Sequence, residues 1–552
     1  MPAQLPPPRI YHSDYPVPIL PAISVFHYLF PPTPTASVYP QGSWSPSLPA
    51  FIDGVSSRVL SRGELRETAL RVADGLRRLG VKPGDAATIW GANSLEWVLA
   101  AYGCVAAGVV VSPANAAYAP HELAHQMNDS GARVAFIAPD LLPTFEEARK
   151  ELKYKDIPVV LLSDMPVRGH RVLADIYGVA SEAVSFDGVR AHETAWLCYS
   201  SGTTGLPKGV MTTHHNITTQ IQTTMPVFEK LESGRDVILG FLPLNHIYGT
   251  IYMLLLPLAY GIPTVLLPRF DELAALRAIQ THRVTLPLFV PPVVLRLLQS
   301  SNTAGFDLSS LRVVMSAAAP LQEDLSAAFE NKFRVKVIQA YGMTEATPGI
   351  TSMSSAMAPG RAGWSGRLMP TYQARLVDEG ADVPPGQPGE LWVRGPNIMK
   401  GYLGKEDCFE PGGWFRTGDV AVIDDEGWFK IVDRMKELIK YKGLQVAPAE
   451  LEALLLEHPD IVDTGVIGVY DKAQVTELPR AYVVAAPGAD RARLPAAVDA
   501  WVAARVAQHK RLRGGIVVID EIPKSPSGKI LRKELRARAE KEWEGAESKA
   551  KL

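Results

Sequence analysis

Short apolar runs alternate with segments of helical periodicity over the first two thirds of the chain. Leu70, Val72, Leu76 and Leu79 lie on one helical face and Gly80 follows them, which predicts an amphipathic helix that begins near Leu60. Apolar strands are predicted at 86–90, 109–112, 133–137 and 159–162, and a further helix at 97–107. The pattern recurs at 284–298. This alternation predicts an α/β protein built on doubly wound sheets.

Proline marks the first 50 residues, which hold 13 of the chain's 45 prolines. We therefore predict an extended arm there, without helix or sheet. The most apolar run, 253–268, is interrupted by Pro257, Gly261 and Pro263. It is shorter than the roughly 20 residues that span a bilayer, so it is predicted to be buried core and no membrane span is expected.

The texture changes near residue 370, where short strands are separated by Gly and Pro with little helix. Strands at 373–377, 389–393, 414–415 and 428–432 predict a β subdomain at about 370–433. After Arg434 the alternation returns, with helices at 448–456 and 494–509 and strands at 462–469, 481–485 and 515–519. We predict a large N-terminal domain, 1–433, and a small C-terminal α/β domain, 434–552.

Charge excludes some partners. Lys and Arg total 56 against 58 Asp and Glu, a net charge of −2, so no overall basic field holds nucleic acid. The cysteines Cys104, Cys198 and Cys408 stand far apart and predict neither disulfides nor a zinc site. The final Ala550-Lys551-Leu552 is a variant of the peroxisomal address, which predicts a peroxisomal import receptor as partner; otherwise the protein is expected in the cytoplasm.

The densest chemical signal is a loop directly after the apolar segment 195–198. It reads Tyr199-Ser200-Ser201-Gly202-Thr203-Thr204-Gly205-Leu206-Pro207-Lys208-Gly209. Glycines let backbone N–H groups approach an anion, hydroxyls add donors and the lysine adds a point charge. Gly-Lys is not followed by Ser or Thr, so this is not a Walker loop. The loop predicts a phosphate site of another kind.

This loop resembles the signature of the acyl-adenylate-forming superfamily, which includes acyl-CoA synthetases, firefly-type luciferases and the adenylation domains of peptide synthetases. Further motifs agree in order from about residue 50 to Glu534: 242–248 (Leu-Pro-Leu-Asn-His-Ile-Tyr), 339–345 (Gln-Ala-Tyr-Gly-Met-Thr-Glu), 417–419 (Thr-Gly-Asp) and 523–529 (Pro-Lys-Ser-Pro-Ser-Gly-Lys). The stretch 432–446 most resembles the plant 4-coumarate:CoA ligases.

The resemblance implies a reaction in two steps. A carboxylate attacks the α-phosphate of ATP, forming an acyl-adenylate and pyrophosphate; the thiol of coenzyme A then displaces AMP. It implies ATP, Mg²⁺ and coenzyme A as cofactors and a small carboxylic acid as substrate. Both steps place negative charge on oxygens, so fixed cations and oriented N–H groups are expected to dominate catalysis.

Positions that match the family motifs in the N-terminal domain take the roles that the resemblance implies. Glu345 would bind Mg²⁺, a hard cation that suits a carboxylate. His246 would close the acyl tunnel or orient the adenylate, while Tyr248 and Tyr252 would line the acyl pocket. Phosphate, nucleotide and ribose contacts are implied for Ser200, Ser201, Gly202, Thr203, Thr204, Lys208, Gln339, Tyr341, Thr344 and Asp419.

The C-terminal domain resembles the family's mobile lid. Arg434 is implied to contact the ribose and Lys436 to be the hinge. Lys529 would stabilise charge on the carboxylate and α-phosphate during adenylation. Lys440 and Gln445 would enter for the thioester step. Coenzyme A contacts are implied for Lys442 and Gly443 and, from the N-terminal domain, Arg269.

Departures from the plant pattern leave the substrate open. Ala317 and Ala340 each replace a glycine beside the adenine and acyl sites, and Arg269 replaces a lysine. We expect an acid–CoA ligase for aromatic or arylalkanoic acids. The alternatives are a medium-chain fatty acyl-CoA synthetase, a luciferase-like oxygenase, an enzyme that loads a carrier protein, and a non-catalytic nucleotide binder.

Overall fold

The computed structural model describes residues 9–39, 43–167, 169–200, 207–441, 444–471, 474, 476–525 and 528–549, without side chains at 445 and 543–549. The chain forms two compact units. The large unit consists of Tyr11–Ala374 and Val393–Phe415. The small unit consists of Arg375–Trp392 and Arg416–Leu552, with Met1–Ile10. Six of the predicted site residues, Ser201, Gly202, Thr203, Thr204, Lys442 and Gly443, lie outside the described residues, as does the tail Ala550-Lys551-Leu552.

The large unit has two seven-stranded sheets whose central strands are parallel. In the first, the strands are ordered Gly401–Tyr402, Lys208–Thr213, Thr194–Ser200, Val110–Ala114, Ala86–Trp90, Ala132–Ile137 and Val159–Leu161. In the second, the order is Lys336–Gln339, Val313–Ser316, Leu286–Phe289, Ile238–Gly240, Thr264–Leu266, Pro49–Asp53 and Val59–Ser61. The predicted α/β alternation is confirmed.

Shorter antiparallel strands complete the large unit. Tyr341–Gly342 pairs with Gly349–Ser352, which pairs with Gly366–Leu368, and Tyr11–His12 pairs with Gln373 and Ala374. The α-helices are Val25–Leu29, Arg62–Arg78, Leu95–Ala107, Pro120–Ser130, Leu142–Arg149, His214–Thr224, Ile247–Gly249, Leu256–Tyr260, Glu272–His282, Pro291–Gln299 and Glu323–Phe333. Single 3₁₀ turns are Pro34–Ala36, Pro139–Leu141, Leu173–Ile176, Gly188–His192, Asn302–Gly305 and Thr344–Ala346, and Thr250–Leu255 is π-helical.

Local sequence explains where the first long helix begins and ends. Ser61 caps Arg62–Arg78: its hydroxyl accepts from the Glu64 N–H, and the Glu64 carboxylate accepts from the Ser61 N–H at 2.8 Å. Gly80 follows the helix in the left-handed region, at φ +83°. Of the four residues predicted to form one apolar face, Leu70, Val72 and Leu76 are buried and Leu79 is half-buried. Leu70 and Val72 lie about 200° apart around the helix, so the buried surface is wider than one face.

The structure corrects two predicted elements. The proline-rich arm, predicted to hold neither helix nor sheet, contains the paired strand Tyr11–His12. It also contains the helix Val25–Leu29, which Ser24 caps with its hydroxyl and which packs with four of its five residues buried. Tertiary burial of this short apolar run outweighs the extended preference of the surrounding prolines. The helix predicted at 494–509 ends at Ala503 and is followed by the 3₁₀ turn Gln508–Lys510.

The apolar run 253–268 is buried core, as predicted, and passes from π-helix through α-helix into the strand Thr264–Leu266. Among the described residues, no helix combines the length and apolarity of a membrane span. The three cysteines are unpaired; Cys104 and Cys198 are buried and Cys408 is half-buried.

The small unit contains all but a few end residues of the neighbouring strands Gln373–Asp378, Gly389–Arg394, Phe415–Ile423 and Trp428–Arg434, with Ala381–Asp382 paired to the first. Ile439–Tyr441 and Leu444–Val446 pair antiparallel. A three-stranded sheet of Ile461–Asp471, Thr476–Ala485 and Ile516–Ile519 packs with the helices Pro448–Leu456, Leu494–Ala503 and Arg532–Lys549. Val466, Leu451, Leu455 and Val498 are fully buried in its core.

Candidate active site

The predicted phosphate loop connects two antiparallel strands. Ser200 ends the strand Thr194–Ser200 and lies opposite Lys208, which begins the next strand. Ser200 and Lys208 are both half-buried, and residues 201–206 between them lie outside the described residues. Sequence alone placed the loop after a buried strand, and the structure confirms that strand.

Lys208 and Glu345 both contact Tyr402, a residue that the sequence did not single out. The Lys208 Nζ lies 5.0 Å from the centroid of the Tyr402 ring. The Tyr402 hydroxyl donates a hydrogen bond of 2.8 Å to the Glu345 Oε1. Burial, together with the charge of Glu345, raises the pKa of Tyr402 well above its ordinary value, so this hydroxyl remains a donor.

Three hydrogen bonds fix the backbone around Glu345, whose side chain is 6% exposed. The Met399 N–H donates to the Glu345 carbonyl, and the Tyr372 hydroxyl to the Ala346 carbonyl, both at 2.8 Å. Thr347 lies in the left-handed region, at φ +63°, and its hydroxyl donates to the Asn397 carbonyl at 2.8 Å. The carboxylate is thus held on a rigid turn.

Gly342 precedes this turn at a point where a side chain has no room. A Cβ on Gly342 would lie 2.1 Å from the Pro348 carbonyl oxygen, because the chain folds back on itself there. Tyr341 and Gly342 form a strand that pairs with Thr351 and Gly349. The Gln339 Oε1 accepts a hydrogen bond from the Leu321 N–H at 2.9 Å.

The alanines that replace glycines add no backbone strain. Ala317 is buried and its φ is negative; the left-handed position is the next residue, Ala318, at φ +73°. Ala340 is half-buried and its φ is also negative. Their methyl groups therefore change the volume available beside them and not the path of the chain.

His246 begins a helical segment that carries the two predicted acyl-pocket tyrosines. Its Nδ1 accepts a hydrogen bond from the Tyr248 N–H at 3.2 Å. Tyr248 and Tyr252 are 6% and 2% exposed, and their rings pack edge to face with centroids 5.5 Å apart. Thr250–Leu255, which holds Tyr252, is π-helical, a conformation often found at functional sites.

Burial dominates the electrostatics of these tyrosines. Desolvation raises the pKa of Tyr248 well above 10 and that of Tyr252 to about 12, so both are neutral phenols at neutral pH. Among the described residues, no group lies within hydrogen-bonding distance and angle of the Tyr248 hydroxyl. A buried polar atom of this kind is costly unless a ligand or water completes it.

In the small unit, Asp419 and Arg434 face each other across two antiparallel strands. The Arg434 Nε lies 3.4 Å from the Asp419 Oδ1. Asp419 follows Gly418, which has φ +72°, and its N–H donates to the Thr417 hydroxyl at 3.1 Å. The Thr-Gly-Asp motif therefore lies within the strand Phe415–Ile423 and presents a buried carboxylate beside a guanidinium.

The predicted lid lysines occupy separate places in the small unit. Lys436 and Lys440 are exposed, and Lys440 pairs with Gln445 across the hairpin. Lys529 is half-buried on a compact loop: its N–H donates to the Ser525 hydroxyl at 3.1 Å and its carbonyl accepts from the Ser525 N–H at 2.8 Å. Arg269, in the large unit, is exposed.

The single carboxylate of Glu345 suits a magnesium ion that substrate phosphates also bind. Among the described residues, no group of three or more His, Cys, Asp or Glu could enclose a metal. Mg²⁺, however, is commonly held by one or two carboxylates together with substrate phosphates. Glu345 offers one buried, oriented carboxylate beside the phosphate loop's lysine.

Comparison with known proteins shows a family relationship. Residues 41–403 match the family described as AMP-binding enzyme, and residues 450–529 match the AMP-binding enzyme C-terminal domain. The chain is 37% identical to 4-coumarate–CoA ligase 1 of Solanum tuberosum, over 89% of this chain and 91% of that protein. It is 36% identical to the peroxisomal OPC-8:0-CoA ligase 1 of Arabidopsis thaliana, over 88% and 90%.

Solved structures give the same relationship. A crystal structure of an anthranilate CoA ligase in complex with anthranoyl-AMP has a TM-score of 0.83 and 26% identity, covering 95% of this chain and 98% of that one. An o-succinylbenzoate CoA synthetase of Bacillus subtilis, in complex with ATP and magnesium, has a TM-score of 0.76 and 28% identity, covering 89% and 97%.

Proposed function

The chain belongs to the AMP-binding enzyme family, and on that premise we propose its function: AMP-forming ligation of an aromatic or arylalkanoic acid to coenzyme A. One observation carries the proposal furthest. The cation at the base of the phosphate loop, Lys208, and the buried carboxylate of Glu345 are joined through Tyr402. A phosphate ligand and a metal ligand set side by side suit a Mg²⁺–nucleoside triphosphate.

The first step joins the acid to ATP. A carboxylate oxygen of the acid attacks the α-phosphorus, and the bond to the β-phosphate bridging oxygen breaks, which releases pyrophosphate. Lys208 and the hydroxyls of the loop hold the departing phosphates, and Lys529 stabilises charge on the α-phosphate and the attacking carboxylate. When bound at Glu345, Mg²⁺ neutralises charge on the phosphate oxygens. Asp419 and Arg434 hold the ribose.

The second step transfers the acyl group. The coenzyme A sulfur attacks the acyl carbon, the bond to the AMP oxygen breaks, and the thiol proton is released. We assign this step to Lys440 and Gln445, which pair across one hairpin, with Lys442, Gly443 and Arg269 contacting coenzyme A. In this proposal residues 434–552 turn about Lys436, so that Lys529 and Lys440 serve in succession.

The acyl site is proposed around Tyr248 and Tyr252, with His246 at its edge and Ala317 and Ala340 narrowing it. Two neutral phenols, edge to face and buried, favour a flat ring over a long flexible chain. The unmatched hydroxyl of Tyr248 also favours an acid with a polar substituent. A medium-chain fatty acid is the competing substrate, because most of this wall is apolar.

Acid-dependent AMP formation, with and without coenzyme A, tests the function. The panel comprises benzoate, phenylacetate, cinnamates and fatty acids of six to sixteen carbons. We expect rapid AMP release only with coenzyme A and a preference of at least tenfold for one aromatic class. Equal AMP release without coenzyme A would point to a carrier protein or an oxygen-dependent step. No AMP with any acid would contradict the proposal.

We also propose peroxisomal residence, which the peroxisomal relative supports. The address would be Ala550-Lys551-Leu552, read by an import receptor. A chain tagged at its N-terminus should co-localise with a peroxisomal marker, and replacement of Leu552 by Asp should leave it in the cytoplasm. A diffuse wild-type signal would contradict this.

A further inference from the structure

Backbone hydrogen bonds to one neighbouring strand fix the chain before and after Tyr402. Gly401 and Tyr402 pair antiparallel with Met211 and Val210, on the strand that Lys208 begins. The flanking residues extend this pairing: the Leu403 N–H donates to the Gly209 carbonyl at 2.8 Å and the Lys400 N–H to the Met211 carbonyl at 2.9 Å. The backbone that carries the Tyr402 phenol therefore belongs to a sheet and not to a free loop.

The Tyr402 side chain lies between the positive charge of Lys208 and the negative charge of Glu345. Lys208 lies over the ring face, where the aromatic quadrupole attracts a cation, and Glu345 accepts the hydroxyl's hydrogen bond. Among the interactions of the described residues, Lys208 and Glu345 each contact Tyr402 and form no ion pair with each other. A phenol between them satisfies both groups while it leaves both charges in place.

We infer that Tyr402 is a positioning residue for the metal–nucleotide complex: its hydroxyl orients the Glu345 carboxylate toward the cation, and its ring spaces Lys208 for the phosphates. This inference rests on the proposed function. It assigns Tyr402 two separable jobs, because the hydroxyl acts on the metal ligand and the ring acts on the lysine.

The conservative variant Tyr402→Phe removes only the hydroxyl. The ring still separates Lys208 from Glu345, but the carboxylate loses the partner that fixes its orientation. A hydrogen bond to a charged group is lost, so we expect Mn²⁺ to bind about tenfold more weakly in the presence of α,β-methylene-ATP, measured by electron paramagnetic resonance. At saturating Mg²⁺ the KM for ATP should change less than twofold.

The variant Tyr402→Leu removes both the hydroxyl and the ring. Lys208 and Glu345 can then pair directly, so each is withdrawn from its ligand. We expect the Mn²⁺ affinity to fall at least as far as in Tyr402→Phe, and the KM for ATP to rise about tenfold as well. Equal KM values for the Phe and Leu variants would overturn the spacer role of the ring.

A matched control separates positioning from folding. Tyr39→Phe also deletes a buried tyrosine hydroxyl of the large unit, since Tyr39 donates to the Tyr28 carbonyl at 2.9 Å, but its hydrogen bonds and ring contacts do not involve the turn of Glu345. It should lower the Tm and leave the Mn²⁺ affinity within twofold of wild type. The reaction of preformed acyl-adenylate with coenzyme A, which involves no pyrophosphate, should be unchanged in Tyr402→Phe.

The outcomes distinguish this inference from the proposed function. If wild type binds Mn²⁺ with the ATP analogue and Tyr402→Phe binds it equally well, the role of the hydroxyl is refuted while the ligase function stands. If both half-reactions fall by one factor in Tyr402→Phe, Tyr402 is only structural. If wild type shows no metal-dependent nucleotide binding, the proposed function itself fails.

Discussion

At the scale of single residues, His214 shows how burial sets a protonation state. Its Nδ1 accepts a hydrogen bond from the Val25 N–H at 3.2 Å, and its ring stacks on Phe186 with centroids 4.6 Å apart. Desolvation lowers the pKa of His214 to about 4; Glu193 and Asp187 oppose this shift, and Arg190 adds to it. The neutral imidazole therefore anchors the helix Val25–Leu29.

This predicts a pH dependence of stability. An imidazole whose folded pKa lies below its unfolded value of about 6.5 binds fewer protons when folded, so its contribution is full above pH 6.5 and is lost as the pH falls toward 4. We expect the free energy of unfolding to decrease over this window by on the order of 3 kcal/mol, measured by urea denaturation at several pH values.

His214→Asn is the matched variant, because an amide oxygen can accept the Val25 N–H bond but does not titrate. It should be less stable at neutral pH, since the stacking on Phe186 is lost. Its stability should vary less between pH 6.5 and 4 than that of wild type. Parallel pH profiles for the two proteins would show that His214 is not the titrating group.

At the scale of elements, one arginine joins four segments of the small unit. The Arg532 Nη2 donates to both carboxylate oxygens of Glu452 at 2.7 Å, and its Nη1 donates to Glu437 at 3.0 Å. The Arg532 Nε donates to the Val466 carbonyl at 3.2 Å, while the Val466 N–H donates to Glu452 at 2.8 Å. Arg532 follows Lys529 by three residues and Glu437 follows Lys436 directly. The cluster therefore supports the segment of the proposed hinge, Lys436, and that of the proposed adenylation lysine, Lys529.

Removal of this guanidinium should destabilise the small unit strongly. In Arg532→Met the carboxylates of Glu452 and Glu437, which are 12% and 16% exposed, lose their shared cation, and breaking such a largely buried pair costs about 3 kcal/mol. The free energy of unfolding measures the loss. Arg538→Met, on the same helix, breaks an exposed pair with Glu542 and should cost less than about 1 kcal/mol. Similar losses in the two variants would refute the buried role.

At the scale of the whole molecule, two lysines of the small unit are proposed to serve different half-reactions. Lys529→Ala should lower adenylation at least a hundredfold and leave the reaction of preformed acyl-adenylate with coenzyme A within a few-fold, because it removes the charge that we propose acts on the α-phosphate. Lys440→Ala should show the reverse bias. Each half-reaction is measured separately, by pyrophosphate release and by thioester formation.

The controls for these variants are exposed lysines on neighbouring elements. Lys533 lies just beyond the loop of Lys529, and Lys430 lies on the strand that ends at Arg434. Alanine at either position should leave both half-reactions near the wild-type rate. Equal losses of both steps in Lys529→Ala, or an unaffected thioester step in Lys440→Ala, would contradict the assignment.

Local sequence determined most of the elements and the identity of the chemical groups. The strand predicted at 86–90 is observed as Ala86–Trp90, and the helix predicted to begin near Leu60 and to end before Gly80 is observed as Arg62–Arg78. Period, caps and glycines act over a few residues, so a pattern can be read without the fold. The same holds for the motifs that carry Lys208 and Glu345, because each lies within one short stretch.

Only the tertiary structure decided which residues meet. Tyr402 and Glu345 are 57 positions apart, and Val25 and His214 are 189 apart, so no local pattern could pair them. The helix in the proline-rich arm and the π-helical turn at Thr250–Leu255 likewise depend on what packs around them. The sequence by itself identified the charged groups of the site, among them Lys208 and Glu345. Packing between residues far apart in the sequence placed the Tyr402 phenol between Lys208 and Glu345. Burial of the same kind lowered the pKa of His214, so that its imidazole is neutral.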